Sequence, residues 1–160
     1  MPGLPAENKE SILTLRASSR LAGNVGSQVR MRDFTVTADE PADLGGDDRG
    51  PTPMEYALGS LVSCMTVMIR LIAAEKEIRV DDVAFEVEGD LDLRGLTGTA
   101  PVRPDFLEVR GTVWLDTPEE PGRIAELRDE VYRRCPVYNL FRRAGIPVRL
   151  EWRARGRSGT

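Results

Sequence analysis

Thr52-Pro53-Met54-Glu55-Tyr56-Ala57-Leu58-Gly59-Ser60-Leu61-Val62-Ser63-Cys64-Met65-Thr66-Val67-Met68-Ile69 is the stretch on which the fold turns. Thr52 suits a helix N-cap and Pro53 the first helical position, where its missing N–H is no loss. Glu55 takes the third position of a capping box. From Tyr56 to Ile69 the chain runs 14 residues without a charge. That falls short of the ~20 apolar residues of a membrane span and matches a buried helix. Met54, Leu58, Leu61, Val62, Met65, Met68, Ile69 and Ile72 make the helix apolar over most of its circumference as far as Lys76. Such a helix is central to a core or lies in a subunit interface.

Working outward, Ile12 to Ala17 and Gln28 to Thr37 carry strand-like alternation, with Ala22-Gly23-Asn24 as a turn signal between them. Residues 39–51 are dense in Asp, Gly and Pro and read as a loop. Beyond the helix, Val80 to Asp90 and Phe106 to Asp116 alternate as strands, the second interrupted by Gly111. The loop between them, Arg94 to Asp105, reads as an exposed excursion. Pro118 to Arg134 is an amphipathic helix with Ile124, Leu127 and Val131 at helical spacing. A helical turn follows from Pro136 to Arg143, then a strand from Val148 to Trp152. The pattern is ββ-α-ββ-α-β, an α+β fold with antiparallel sheets. It predicts one domain over residues 10–154, with 1–9 and 155–160 as flexible ends.

The totals narrow the function. A chain of 160 residues, 41% hydrophobic and 30% charged, builds about one globular domain. A net charge of -4 gives no electrostatic case for nucleic acid. No basic region followed by an apolar run opens the chain, so a cytoplasmic setting with reduced thiols is expected. There is no histidine. Histidine-based triads and dyads and histidine-ligated zinc are therefore excluded, and two cysteines cannot by themselves hold a structural zinc.

Those two cysteines are the chemistry on offer. Cys64 sits mid-helix, where the plain reading is a small core residue. Cys135 stands in Arg133-Arg134-Cys135-Pro136, where Pro136 can open a helical turn and leave Cys135 at its N-cap. Two arginines and a helix N-terminus would both favour thiolate there. Glu55 is explained by its capping role alone. It is nine residues before Cys64, about 13 Å along the helix and nearly on the opposite face, so it could help that thiol only across a dimer.

The motifs Asp39-Glu40-Pro41, Gly45-Gly46-Asp47, Gly50-Pro51-Thr52-Pro53-Met54-Glu55 through Ser63-Cys64, and Arg134-Cys135-Pro136-Val137-Tyr138 resemble the OsmC/Ohr family of osmotically inducible and organic hydroperoxide resistance proteins. The likeness spans residues 10–153 and is greatest to OsmC-like branches with a Gly-Pro-x-Pro-x-Glu helix start. It implies an intertwined homodimer with two central helices and active sites at the interface. It also implies a peroxidatic Cys64, a resolving Cys135, and an arginine that steadies the thiolate. Arg20, in the first hairpin, or Arg49, in the loop, would be that arginine; Arg30 and Arg32 read as strand-surface charges. The family's acidic residue follows its motif proline directly, whereas Glu55 is displaced by one.

The expected activity is thiol-dependent reduction of organic hydroperoxides, without cofactor or metal, through a Cys64 sulfenic acid and a Cys64–Cys135 disulfide. The resemblance implies a dithiol reductant, such as a lipoylated protein. The alternatives are an OsmC-like ligand-binding or redox-sensing dimer without efficient turnover, and an interaction domain with inert cysteines.

Overall fold

The computed structural model describes residues 12–155, which divide between Pro53 and Met54 into two compact units. Apart from Arg155, the ends expected to be flexible lie outside the described residues.

The first unit is an antiparallel meander of β1 (Ser18–Ala22), β2 (Gly26–Met31) and β3 (Phe34–Ala38). The β1–β2 turn falls where expected, with Gly23 at φ 76° supplying the left-handed backbone. Two expectations shift. The run from Gln28 to Thr37 is a hairpin rather than one strand, folded back at Arg32-Asp33 so that Met31 faces Phe34. Arg32 takes φ 56° there, and a two-residue turn leaves the alternation of side chains unbroken, which is why the sequence reads as continuous. Because β2 ends at that turn, β1 finds no partner before Ser18. Residues 12–17 consequently form no strand, and Ile12, Leu13 and Leu15 are exposed.

The second unit opens with α1 (Pro53–Glu75), close to its expected span and with Glu55 in its first turn. At 23 residues it is longer than its uncharged run suggests, and it has the length and apolar composition of a membrane span. Leu61, Met65, Ile69, Ile72 and Ala73 are buried along one side, the 3–4 spacing of a core-facing stripe.

Three strands carry the matching surface: β4 (Asp82–Asp90), β5 (Glu108–Asp116) and β6 (Val148–Arg155), in that order. Between β4 and β5, α2 (Leu93–Thr97) begins with Asp92 accepting from the Arg94 N–H, so the expected loop is partly helical. After β5 come α3 (Pro121–Arg134) and α4 (Pro136–Arg143). Val109, Val113 and Leu115 on β5 are fully buried with Leu127 and Val131 of α3 in one core with the α1 stripe.

The α+β class stands, but the last strand departs from the antiparallel expectation: β6 runs parallel to β5. Two helices separate them in sequence, and that length permits the crossover a parallel pair needs. Helix α3 begins three residues later than expected. Buried Thr117 accepts from the Glu119 N–H and donates to the Arg79 carbonyl, holding residues 117–119 in a turn.

Gly111 faces Val87 in the β4–β5 ladder, and a Cβ there would run into the Glu86 carbonyl oxygen. Gly111→Ala should therefore lose about 1–3 kcal/mol of stability through overpacking, read as a lower urea midpoint at unchanged slope.

Candidate active site

Cys64 lies three residues after Leu61 and four before Met68, on the flank of the α1 stripe. It is half-buried and packed against the core. Cys135 follows Val131, the last buried residue of α3, by four positions and so inherits its inward direction. It ends α3 and caps α4 at once, with φ −67° and ψ 115°, and the Pro136 ring fits the first turn of α4. Its N–H donates to the Val131 carbonyl at 2.8 Å, and its Sγ accepts from the Tyr138 N–H at 3.5 Å. The Cys135 thiol points at Cys64, with Sγ–Sγ 3.5 Å, and both cysteines are free.

The expectation of an anionic Cys135 is overturned. Cys135 is completely buried. Arg133 is bonded to Glu130, and Arg134 holds both carboxylate oxygens of Glu75, so neither guanidinium serves the sulfur. Burial pushes the Cys135 thiol up to about 11, opposed by the Tyr138 N–H and reinforced by the Cys64 sulfur. Desolvation outweighs the helix N-terminus here.

The junction around Cys135 contains groups that the sequence reading passed over. Asn139 Nδ2 donates to the carbonyls of Tyr132 and Cys135, both at 2.9 Å, tying the end of α3 to the start of α4. Tyr132 stacks on Tyr138 at 4.5 Å, and its hydroxyl accepts from Trp152 Nε1 at 2.9 Å. An asparagine four residues after the helix-opening Cys-Pro was the legible signal for the first, since short polar side chains reach back to local carbonyls.

The remaining candidates are Glu55, Arg20 and Arg49. Glu55 is exposed in the first turn of α1, and the continuous helix keeps it about 13 Å from Cys64 along the axis. Arg20, exposed on β1 opposite Gln28, and Arg49 belong to the first unit. Arg49 Nε meets Asp39 at 3.0 Å and Asp47 at 3.5 Å, and its Nη2 donates to the Ala22 carbonyl. Arg30 and Arg32 are surface charges, the first 3.9 Å from Asp33 and the second over the Phe34 ring.

Asp39 is 2% exposed and accepts from the N–H groups of Glu40, Asp47 and Arg49 as well as from the Arg49 side chain. Burial by itself would raise its carboxyl, but the Arg49 side chain and these N–H groups together hold it below its ordinary value of 3.8. Asp39 and Arg49 thus pin the 39–51 loop onto the β1–β2 hairpin.

Among the described residues no group of three or more His, Cys, Asp or Glu is placed to hold a metal ion. The site is two sulfurs 3.5 Å apart, one on a half-buried residue and one on a fully buried one.

The family model for OsmC-like proteins matches residues 45–151. The chain therefore belongs to the OsmC-like family. Its fold is shared with an OsmC-like protein of Mycoplasma pneumoniae at TM-score 0.74 and 19% identity, over 90% of this chain and 97% of that one. It is shared too with an organic hydroperoxide resistance protein OsmC of Legionella pneumophila at TM-score 0.69 and 20% identity, over 89% and 98%. The organic hydroperoxide resistance protein OhrB of Bacillus subtilis matches at TM-score 0.58 and 20% identity, over 88% and 98%. No curated protein sequence matches the chain.

Two outcomes test this description. Asp39→Asn should lower stability at neutral pH. A carboxyl held low in the fold stabilises above its unfolded value and loses that contribution as pH falls through the lower folded value. The gap between wild type and variant, read by thermal melts, should hence close as pH drops below 3.8. In Cys64→Ser, iodoacetamide should modify Cys135 slowly at pH 8 and faster toward pH 11, with full reaction at pH 8 only after denaturation.

Proposed function

We propose that this chain is a thiol peroxidase that reduces organic hydroperoxides. The observation that carries the reading is the 3.5 Å approach of a half-buried Cys64 to a fully buried Cys135. Membership of a family with organic hydroperoxide resistance proteins among its structural neighbours supports it.

The Cys64 thiolate attacks the terminal peroxide oxygen, the O–O bond breaks, and the alkoxide leaves as an alcohol after taking up a proton. Cys64 becomes a sulfenic acid. The Cys135 sulfur then displaces its hydroxyl, which departs as water with the Cys135 proton, forming the Cys64–Cys135 disulfide. The S–H of Cys135, aimed at Cys64 Sγ, is oriented to stabilise the attacking thiolate first and to surrender its proton second. A dithiol reductant restores both thiols; a lipoylated protein would supply one. The setting is cytoplasmic.

The working unit is a homodimer. Only 28% of the most apolar 18-residue window of α1 is buried in one chain, and Val67, Leu71, Leu21 and Phe34 are exposed. These apolar surfaces suit a second copy of the chain. A dimer also gives Glu55 a route to the partner's Cys64, together with Arg20 or Arg49. Arg20 is the better arginine of the two, because Arg49 is already engaged by Asp39, Asp47 and Ala22. That same engagement favours the second reading, a redox-sensing dimer that oxidises without rapid turnover.

Reduced protein given one equivalent of cumene hydroperoxide should lose two thiols and about 2 Da within seconds. Cys64→Ser should abolish the reaction, and Cys135→Ser should stop at a sulfenic acid that dimedone captures. Thiols that survive excess peroxide would exclude the peroxidase. Oxidation without sustained turnover on a dithiol would select the sensor. Sedimentation equilibrium should return twice the chain mass.

A further inference from the structure

The disulfide of the proposed cycle has to be opened by an external dithiol, and its two sulfurs are not equally reachable. Cys135 has 0% of its surface accessible in a single chain, so any assembly with a second copy can only enclose it further. Cys64 is partly exposed on α1, with Ser60 and Ser63 exposed nearby on the same helix.

Cys135 is also held in place. Its N–H is bonded to Val131 at 2.8 Å, and its carbonyl accepts both the Asn139 N–H at 3.1 Å and Asn139 Nδ2 at 2.9 Å. The preceding helix is fastened to the end of α1 by Arg134 on Glu75, Lys76 on Glu126 at 2.7 Å, and Arg123 on the Lys76 carbonyl at 2.7 Å. Turning Cys135 outward would break bonds on both sides of it. Rotating Cys64 about its side-chain torsion to close the remaining distance breaks none.

We propose that the reducing dithiol attacks the Cys64 sulfur, so that reduction passes through a mixed disulfide on Cys64 with Cys135 as the leaving group. This deepens the peroxidase reading, on which the need for a reductant rests. One thiolate of the dithiol forms a bond to Cys64 Sγ as the Cys64–Cys135 bond breaks, and the electron pair leaves on Cys135. The second thiol then displaces Cys64, releasing a cyclic disulfide. Two electrons pass from the dithiol to the protein, and its two protons end on Cys64 and Cys135.

Two effects oppose each other at the first step. A thiol that favours its neutral form is the poorer leaving group, which alone would direct attack onto Cys135 and expel Cys64. Access decides against that, because thiol–disulfide exchange needs the nucleophile to reach the sulfur it attacks. The Tyr138 N–H, 3.5 Å from Cys135 Sγ, is placed to receive the departing charge.

The test uses the full chain oxidised with diamide, which makes the disulfide without any peroxide. A short exposure to limiting glutathione, an acid quench, alkylation and peptide mapping then locate the mixed disulfide. Glutathione should be found on the Cys64 peptide in preference to the Cys135 peptide by at least about ten-fold, as their difference in access requires. Equal labelling, or more on Cys135, would overturn the proposal, as would failure of diamide to join the two cysteines. If cumene hydroperoxide leaves the reduced protein untouched, the peroxidase reading fails while the site of thiol attack is still decided by this experiment.

Discussion

Burial of one side of α1 against β4–β5–β6 is the constraint from which the rest of the second unit follows. Leu61, Met65, Ile69 and Ile72 have no accessible surface, and each such side chain contributes roughly 1.5–3 kcal/mol when fully buried. That stripe fixes the rotation of α1 and hence the depth of Cys64 on its flank. The same core takes Ile124, Leu127 and Val131 from α3, and one more helical step along that face reaches Cys135. The sulfur pair is a product of core packing. The arginines next to Cys135 in sequence do not steer it, because Glu130 and Glu75 hold them.

Charge plays a different part. The chain is rich in arginine, but the arginines near Cys135 are spent on Glu75 and Glu130 at the surface, where ion pairs are screened and individually weak. Desolvation is therefore free to set the state of Cys135. The first unit solves the opposite problem. Asp39 is as buried as Cys135, yet four donors surround it and keep it anionic. A carboxylate can be buried charged when enough N–H groups converge on it, whereas the weaker N–H contacts on the Cys135 sulfur do not offset its burial.

The same contrast gives Arg49 an anchoring part. Its Nε and Nη2 are divided between Asp39 and Ala22, and so hold the 39–51 loop. The Asp39-Glu40-Pro41 and Gly45-Gly46-Asp47 motifs make sense in the same way. The Asp47 N–H is one of the donors to Asp39, and Gly46 packs so closely on the Glu40 backbone that a Cβ would collide with it.

Much of the fold was legible because its signals are local. The span of α1, the strand face of β5 around Gly111, the start of α4 at Pro136 and the helical face of α3 all follow from periodicity and proline placement within a few residues. The two cysteines and the family motifs around them were equally plain. What the sequence could not decide depends on partners distant along the chain. A two-residue turn preserves side-chain alternation, so the β2–β3 hairpin looked like one strand. The direction of β6 was set by the crossover through α3 and α4, which returns the chain to the end where β5 begins. Above all, the state of Cys135 looked like a matter of its neighbours Arg133 and Arg134, and was settled by groups far away in sequence: Glu75 drawing off one arginine, and a core that removed the sulfur from water. Short-range chemistry can be read from neighbouring letters, but burial is a property of the whole packed chain.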